Sequence, residues 1–256
     1  MTAVATAPAE RGTMPTGRVR PGEIWRIVRL LAVNPTIFFG IPWMILGGAW
    51  VITMLIALIL RASGISDAED GFRYSWAVLS PQWYLVVVGV QAVAYTLSFA
   101  LGFGSTRRDY WLGMSLMFLF VSTEMAVAIA TLVQVEIATD GWFIGAGMFD
   151  ALWYGQSGWW FDFFTTFSLQ LFVLFVGAGI TTVYMRWRMR GMMTLLFSVL
   201  AVVLVFVATV MLTGSGPELA SWLATIGIGG VFGIVLALAV VSGLAGYFVV
   251  RRATPR

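Results

Sequence analysis

Six long stretches of this chain are almost free of charge, and few folds can accommodate them. They run approximately 37–60, 83–103, 111–133, 163–185, 192–213 and 222–250, and Glu124 is the one ionisable carboxyl group within them. Crossing roughly 30 Å of bilayer hydrocarbon at about 1.5 Å per residue takes about 20 residues. Each stretch is long enough. With 60% apolar and 11% charged residues, the composition lies far from the quarter charged that is usual in soluble domains. The expected fold is therefore all-α: a polytopic membrane protein with six transmembrane helices spread over 35–252.

The arginines orient such a chain. Arg11, Arg18, Arg20, Arg26 and Arg29 precede the first stretch, Arg107 and Arg108 follow the second, Arg186, Arg188 and Arg190 follow the fourth, and Arg251, Arg252 and Arg256 close the chain. If the chain crosses six times, these thirteen of the fifteen basic residues share one side, leaving Arg61 and Arg73 with most of the acidic residues on the other. The positive-inside rule counts Arg and Lys rather than net charge, and it places both ends in the cytoplasm. The net charge of +3 thus describes a polarised membrane protein and gives no reason to expect a nucleic-acid partner.

Three absences narrow the chemistry. The chain has no Cys, no His and no Lys. It lacks the thiolate and imidazole ligands of the usual zinc and haem sites and the base of a Ser/His or Cys/His pair, and no cofactor is expected. A Walker A loop needs a Lys for the β and γ phosphates, so ATP-driven work would have to be powered by another polypeptide. Between the apolar stretches no segment is long enough to bury a core of its own. Residues 1–20, rich in Ala, Thr, Pro and Arg and without an apolar centre, read as a disordered cytoplasmic tail rather than a signal peptide.

Residues 21–34 carry an amphipathic pattern. Ile24, Val28 and Leu31 recur at helical spacing, while Glu23, Arg26 and Arg29 fall on another face. Such a segment is too short to span. It is expected to lie in the cytoplasmic interface with Trp25 at headgroup depth and Arg26 and Arg29 towards anionic lipid or a partner. In the first stretch, Pro42 and the Gly47-Gly48 pair predict a kink or a close helix contact. Ala94 with Ser98, Gly229 with Gly233 and Ser242 with Gly246 are spaced for close packing.

The turn after the second stretch reads GFGSTRRDYWLG, with Ser105 or Thr106 placed to cap a helix and Arg107, Arg108 and Asp109 expected to project into the cytoplasm. It serves either as a topology anchor or as a docking turn for a cytoplasmic subunit. The outer segment 141–164 is crowded with aromatic residues. A helix or re-entrant turn on the outer leaflet explains them, and a lid at the mouth of a pathway is the alternative. Glu124 lies about 13 residues into the third stretch, roughly 20 Å from its start. A carboxylate there costs at least ~2.5 kcal/mol, so it serves a pathway, together with Thr131 about two turns on, or bonds a neighbouring helix as a neutral acid.

The amphipathic segment, the basic turn 103–113, the YMRWRMRG stretch and a short glycine-rich break with Pro217 after the fifth stretch together resemble the ABC-2 type exporter permeases of bacteria. The basic turn and YMRWRMRG are most similar to those of small permease-like proteins from high-GC Gram-positive bacteria. The resemblance implies a homodimer or heterodimer of permeases in the cytoplasmic membrane, bound to cytoplasmic P-loop ATPase subunits. It implies that Glu23 to Val33 form the connecting helix, that Ser105, Thr106, Arg107, Arg108 and Asp109 form the ATPase-coupling turn, and that 214–225 form short outer re-entrant helices. The chain itself would not be an enzyme. Two alternatives stand beside this one: an ion-coupled carrier using Glu124, and a non-transporting accessory or immunity protein.

Overall fold

In hydrocarbon no water is present to pair with backbone N–H and C=O groups, and a helix satisfies them within one segment. The computed structural model describes residues 21–64 and 71–251, and every regular element among them is helical. The tail 1–20, the acidic residues Asp67, Glu69 and Asp70, and the terminal Arg252 and Arg256 lie outside the described residues. In chain order the helices are α1 (Pro21–Leu31), α2 (Ile41–Ala62), α3 (Ser80–Gly102), α4 (Arg107–Ala138), α5 (Trp159–Thr213) and α6 (Gly216–Val250). A π-helical turn, Thr36–Gly40, leads into α2, and a 3₁₀ turn, Ala77–Leu79, leads into α3. The five helices α2 to α6 are long and apolar enough to cross a membrane.

The fourth and fifth apolar stretches belong to one 55-residue element, α5, which does not run straight. At Arg188 (φ 54, ψ −143) the helical path breaks. A Cβ on Gly191 would stand 3.3 Å from the carbonyl oxygen of Val183, eight residues earlier, where a continuous helix would separate them by about 12 Å. The chain therefore turns back at Arg188, and α5 is a hairpin of two limbs, 159–187 and 189–213. Its reversal uses a positive φ at an arginine, while Gly191 provides room for the Val183 carbonyl and the Trp187 side chain. In α6 the break falls at Gly227 (φ 64, ψ −178), setting the segment 216–226 apart from 228–250. Where the resemblance implies short re-entrant helices, the chain makes a turn at Gly214 (φ 66) followed by this one short helical segment.

Helix α4 is the centre of the bundle. Met114, Phe118, Val121, Met125, Ile129 and Val133 are all fully buried, and α1, α3, the first limb of α5 and α6 pack around it. Helix α1 seats Ile27 against Gly113 of α4, where any Cβ would collide with it. Helix α6 lays Gly246 on the Trp111 ring and Gly243 on Phe175. The closest approach is between α3 and α5. A Cβ on Gly89 would strike the backbone of Leu174, and one on Gly177 would strike the carbonyl of Val86, so the two backbones touch. Thr181 Oγ1 donates to the carbonyl of Val90 at 3.4 Å, just beyond the crossing, so α3 and the first limb run in parallel.

The small-residue pairs read from the sequence are used unevenly. Gly246 is a packing position, Ser98 is exposed, and a Cβ on Gly233 would meet nothing. Gly47 and Gly48 are likewise open and α2 is unbroken there, so the distortion near the start of this stretch is the π turn ahead of Pro42 rather than a kink at the glycines. The decisive pair, Gly89 and Gly177, belongs to no short-range motif because its members lie on different helices.

Gly89→Ala should lower the midpoint of thermal unfolding in detergent, with a loss of about 1–3 kcal/mol as expected for overpacking a tight site. Gly47→Ala should leave it within experimental error. Equal midpoints for the two variants would show that the α3–α5 contact is looser than described.

Candidate functional site

The turn between α3 and α4 is built around a cap. Thr106 sits in extended backbone geometry, its Oγ1 accepts the Asp109 N–H at 3.1 Å, and the same hydroxyl donates to Asp109 Oδ2 at 2.8 Å. This arrangement satisfies one of the orphan N–H groups of the α4 N-terminus and places a carboxylate at the positive end of the helix dipole. Asp109 is only 3% exposed. The sequence reading had Asp109 projecting outwards, and the cap is the physical reason that it does not. Ser105, also buried, donates to Glu23 Oε2 at 3.4 Å, and Glu23 holds Arg26 at 2.8 Å. Tyr110, fully buried, donates to the Ala92 carbonyl at 2.6 Å. Arg107 Nη1 donates to the Arg251 carbonyl at 3.0 Å. Arg108, Arg26, Arg29 and Trp25 are exposed, Trp25 by 53%. The turn and α1 thus lie side by side, joined by the Ser105–Glu23 hydrogen bond, with Arg108, Arg26 and Arg29 exposed on them.

Glu124 and Thr131 lie two turns apart on α4, and each accepts an indole N–H from a different helix. Trp43 Nε1 of α2 donates to Glu124 Oε1 at 2.9 Å, and Trp159 Nε1 of α5 donates to Thr131 at 3.2 Å. Glu124 is half-buried in the seam between α2 and α4, and its second oxygen has no hydrogen-bond partner. Hydrogen bonding to a neighbouring helix is therefore what Glu124 does here.

At the opposite end, Glu136 organises a folded cap. Glu136 is 1% exposed. Its Oε1 accepts the backbone N–H groups of Met148, Phe149 and Asp150 at 2.9, 2.8 and 2.7 Å, and Oε2 accepts Trp142 Nε1 at 2.6 Å. Four donors converge on one carboxylate, which is how a buried charge is made tolerable. The same contacts hold Trp142 (φ 59) and Phe143 (φ 64) in the left-handed region, a strained conformation for bulky residues that persists only where surrounding contacts over-determine it. Trp50 adds an edge-to-face contact to Trp142 at 5.2 Å, and the Arg73 carbonyl accepts the Leu152 N–H at 2.8 Å, tying the α2–α3 connection to the cap.

Asp162, fully buried at the start of α5, accepts the Gly155 N–H at 3.1 Å and Gln134 Nε2 at 3.4 Å. Asp150 faces Arg73, whose charge partly offsets the burial that pushes the Asp150 carboxyl up. Complete burial pushes the Tyr154 hydroxyl up to about 12, and that hydroxyl bonds Thr166 Oγ1 at 3.1 Å. A polar cavity of about 210 Å³ opens among Arg73, Glu136, Asp140, Asp150 and the glycine-rich backbone at 145–147. Among the described residues, no three acidic groups converge as they would on a metal ion. The aromatic segment 141–164 comprises a π-helical turn at Gly141–Gly145, an irregular stretch gathered on Glu136 and Asp162, and the first turn of α5. Phe149 and Tyr154 are buried, and Phe143 and Trp160 are the large rings that remain exposed. Its glycines, clustered after an acidic residue at the end of a long helix, were the available signal for a carboxylate nest.

A third polar group lies inside the bundle. Gln82 and Gln170 each precede the Gly89–Gly177 crossing by seven residues on parallel helices, and so share a level. The Phe118–Phe175 ring contact at 5.4 Å and the Thr131–Trp159 hydrogen bond put Ser122 of antiparallel α4 near that level too. All three are buried, and their side-chain nitrogen and oxygen atoms have no protein partner. Comparisons with family models, with curated proteins and with solved structures find no match for this chain.

Glu136→Ala would strand three backbone N–H groups and an indole N–H, each unmade bond costing about 1–3 kcal/mol. The expected result is rapid protease cleavage within 141–158 and a lowered unfolding midpoint. Glu136→Gln, which keeps one acceptor oxygen but turns an amide towards Trp142, should fall between. A protease-resistant Ala variant would show that Glu136 does not hold the cap.

Proposed function

We propose that this chain is the membrane-spanning permease subunit of an ABC-type exporter, working as a homodimer or heterodimer in the bacterial cytoplasmic membrane and powered by a separate P-loop ATPase. In this reading the two limbs of α5 are separate crossings, which gives six in all with both ends in the cytoplasm. The arginine distribution supports that orientation, since Arg107, Arg108, Arg186, Arg188, Arg190 and Arg251 then share the cytoplasmic side. Helix α1 lies in the interface as the connecting helix.

The observation that carries the proposal is the turn at 103–110. The Thr106–Asp109 cap fixes the turn itself, the Ser105–Glu23 hydrogen bond and the seating of Ile27 on Gly113 hold α1 beside it, and Arg108 and the α1 arginines are exposed. A rigid, basic element joined to the central helix is what a mechanical coupling surface requires: force applied at the turn reaches α4 directly. The buried level of Gln82, Ser122 and Gln170 supplies hydrogen-bonding capacity inside the bundle, where a transport pathway would need it. The bond from Trp43 to Glu124 weighs against an ion-coupled carrier centred on that carboxylate.

The test is affinity purification of the chain in mild detergent with its ATPase. The double variant Arg107→Glu and Arg108→Glu should insert normally and lose at least tenfold of the bound ATPase, because charge pairs at a partner interface are worth a few kcal/mol when desolvated. Undiminished ATPase recovery would remove the coupling assignment. A wild-type chain that recovers no ATPase would favour the accessory or immunity role instead.

A further inference from the structure

The hairpin of α5 does not close on itself. Between its limbs and α6 lies a cavity of about 540 Å³, lined by Phe175, Gly179 and Val183 of the first limb, Leu195 and Val199 of the second, and Ala245 of α6, among others. The volume lies within the roughly 300–1,000 Å³ of small-molecule pockets. Its walls are aliphatic and aromatic, with few polar atoms. The arginines do not line it, but its lining residues Val183 and Met192 lie three positions before Arg186 and two after Arg190, and Val249 lies two before Arg251, so one end of the cavity adjoins the hairpin turn with its Arg188 and the last turn of α6. None of these four makes an ion pair among the described residues. The Arg186 guanidinium lies 4.3 Å over the Trp187 ring, and the Arg251 guanidinium lies 5.7 Å from the Tyr247 ring. Arg188, Arg190 and Trp187 are exposed.

We propose that this cavity is a binding site for one anionic phospholipid, with an acyl chain between the α5 limbs and α6 and the headgroup phosphate among Arg186, Arg190 and Arg251. The apolar walls match an acyl chain. The cluster of cations without carboxylate partners at one end matches a phosphate, and Arg is the residue suited to bidentate phosphate contacts. Apolar walls and basic rim together describe an amphiphile with a negative head, which separates this site from the general lipid contact of any membrane helix. The second limb, exposed along nearly its whole length, gains a filler on the side where it faces the bundle across the cavity.

Gly179 gives a clean steric probe, because it lines the cavity and a Cβ there would meet nothing within 4 Å. The full-length protein, delipidated in detergent, would be titrated with dioleoylphosphatidylglycerol or dioleoylphosphatidylcholine and examined by native mass spectrometry. One phosphatidylglycerol should be retained per chain at least tenfold more tightly than phosphatidylcholine. Gly179→Leu should abolish that retention by filling the cavity, and the triple variant Arg186→Gln, Arg190→Gln, Arg251→Gln should erase the preference between the two lipids. Glycerol 3-phosphate alone should not compete, since the headgroup carries only part of the contact. Equal retention of both lipids by the wild type, undiminished phosphatidylglycerol binding by Gly179→Leu, or displacement by glycerol 3-phosphate would each overturn the proposal. If Gly179→Leu fails to fold, the arginine triple variant decides: an unchanged preference for phosphatidylglycerol overturns it.

Discussion

The contact of the α3 and α5 backbones at Gly89 and Gly177 sets the geometry on which the other features rest. Lipid is as apolar as leucine, so helices in a membrane gain little from hydrophobic burial against each other and depend on close packing and hydrogen bonds. With no side chain on either residue at the crossing, the two helices approach until a Cβ on one would strike the backbone of the other. That crossing fixes the first limb of α5 against α3 and, through Phe118 and Phe175, against α4. It thereby sets the height at which Asp162 meets Gln134 and Trp159 meets Thr131, and so the height of the Glu136 cap.

The two ends of the central helix are treated in opposite ways. At its start, Asp109 caps the first turn, and Arg108 and the α1 arginines are exposed beside it. At its end, Glu136 gathers three backbone N–H groups and an indole, and folds the following segment over the bundle. Each end uses a carboxylate, but the Asp109 cap is local, three residues from Thr106, while Glu136 reaches twelve to fourteen residues ahead. The basic end is thus a presented surface and the acidic end a closed structure.

How much of this was legible in the sequence follows from the range of the interactions. The helices were legible, because apolar length is a local property: the expected stretch 37–60 is found within Thr36–Ala62, and 111–133 within Arg107–Ala138. The Thr106 cap and the amphipathic α1 were also local signals. A break between the fourth and fifth apolar stretches is legible from the arginines of MRWRMRG, but the residue that carries it, Arg188 with φ 54, is not. What the sequence hid was long-range. Nothing local marked Glu136, because its donors lie on a loop with no periodicity. Gly89 and Gly177 looked ordinary because the pair they form joins two different helices, and the arrangement of Gln82, Ser122 and Gln170 at one level depends on that crossing.

The proposed six crossings and cytoplasmic coupling turn both require the Arg188 turn to face the cytoplasm. The chain has no Cys, so single-cysteine labelling with an impermeant thiol reagent on intact cells has no background from the chain itself. Ser157→Cys, exposed on the outer cap, should be labelled from outside, and Arg188→Cys should be labelled only after the membrane is opened. Labelling of Arg188→Cys on intact cells with protection of Ser157→Cys would contradict the orientation, and with it the assignment of the 103–110 turn to the ATPase.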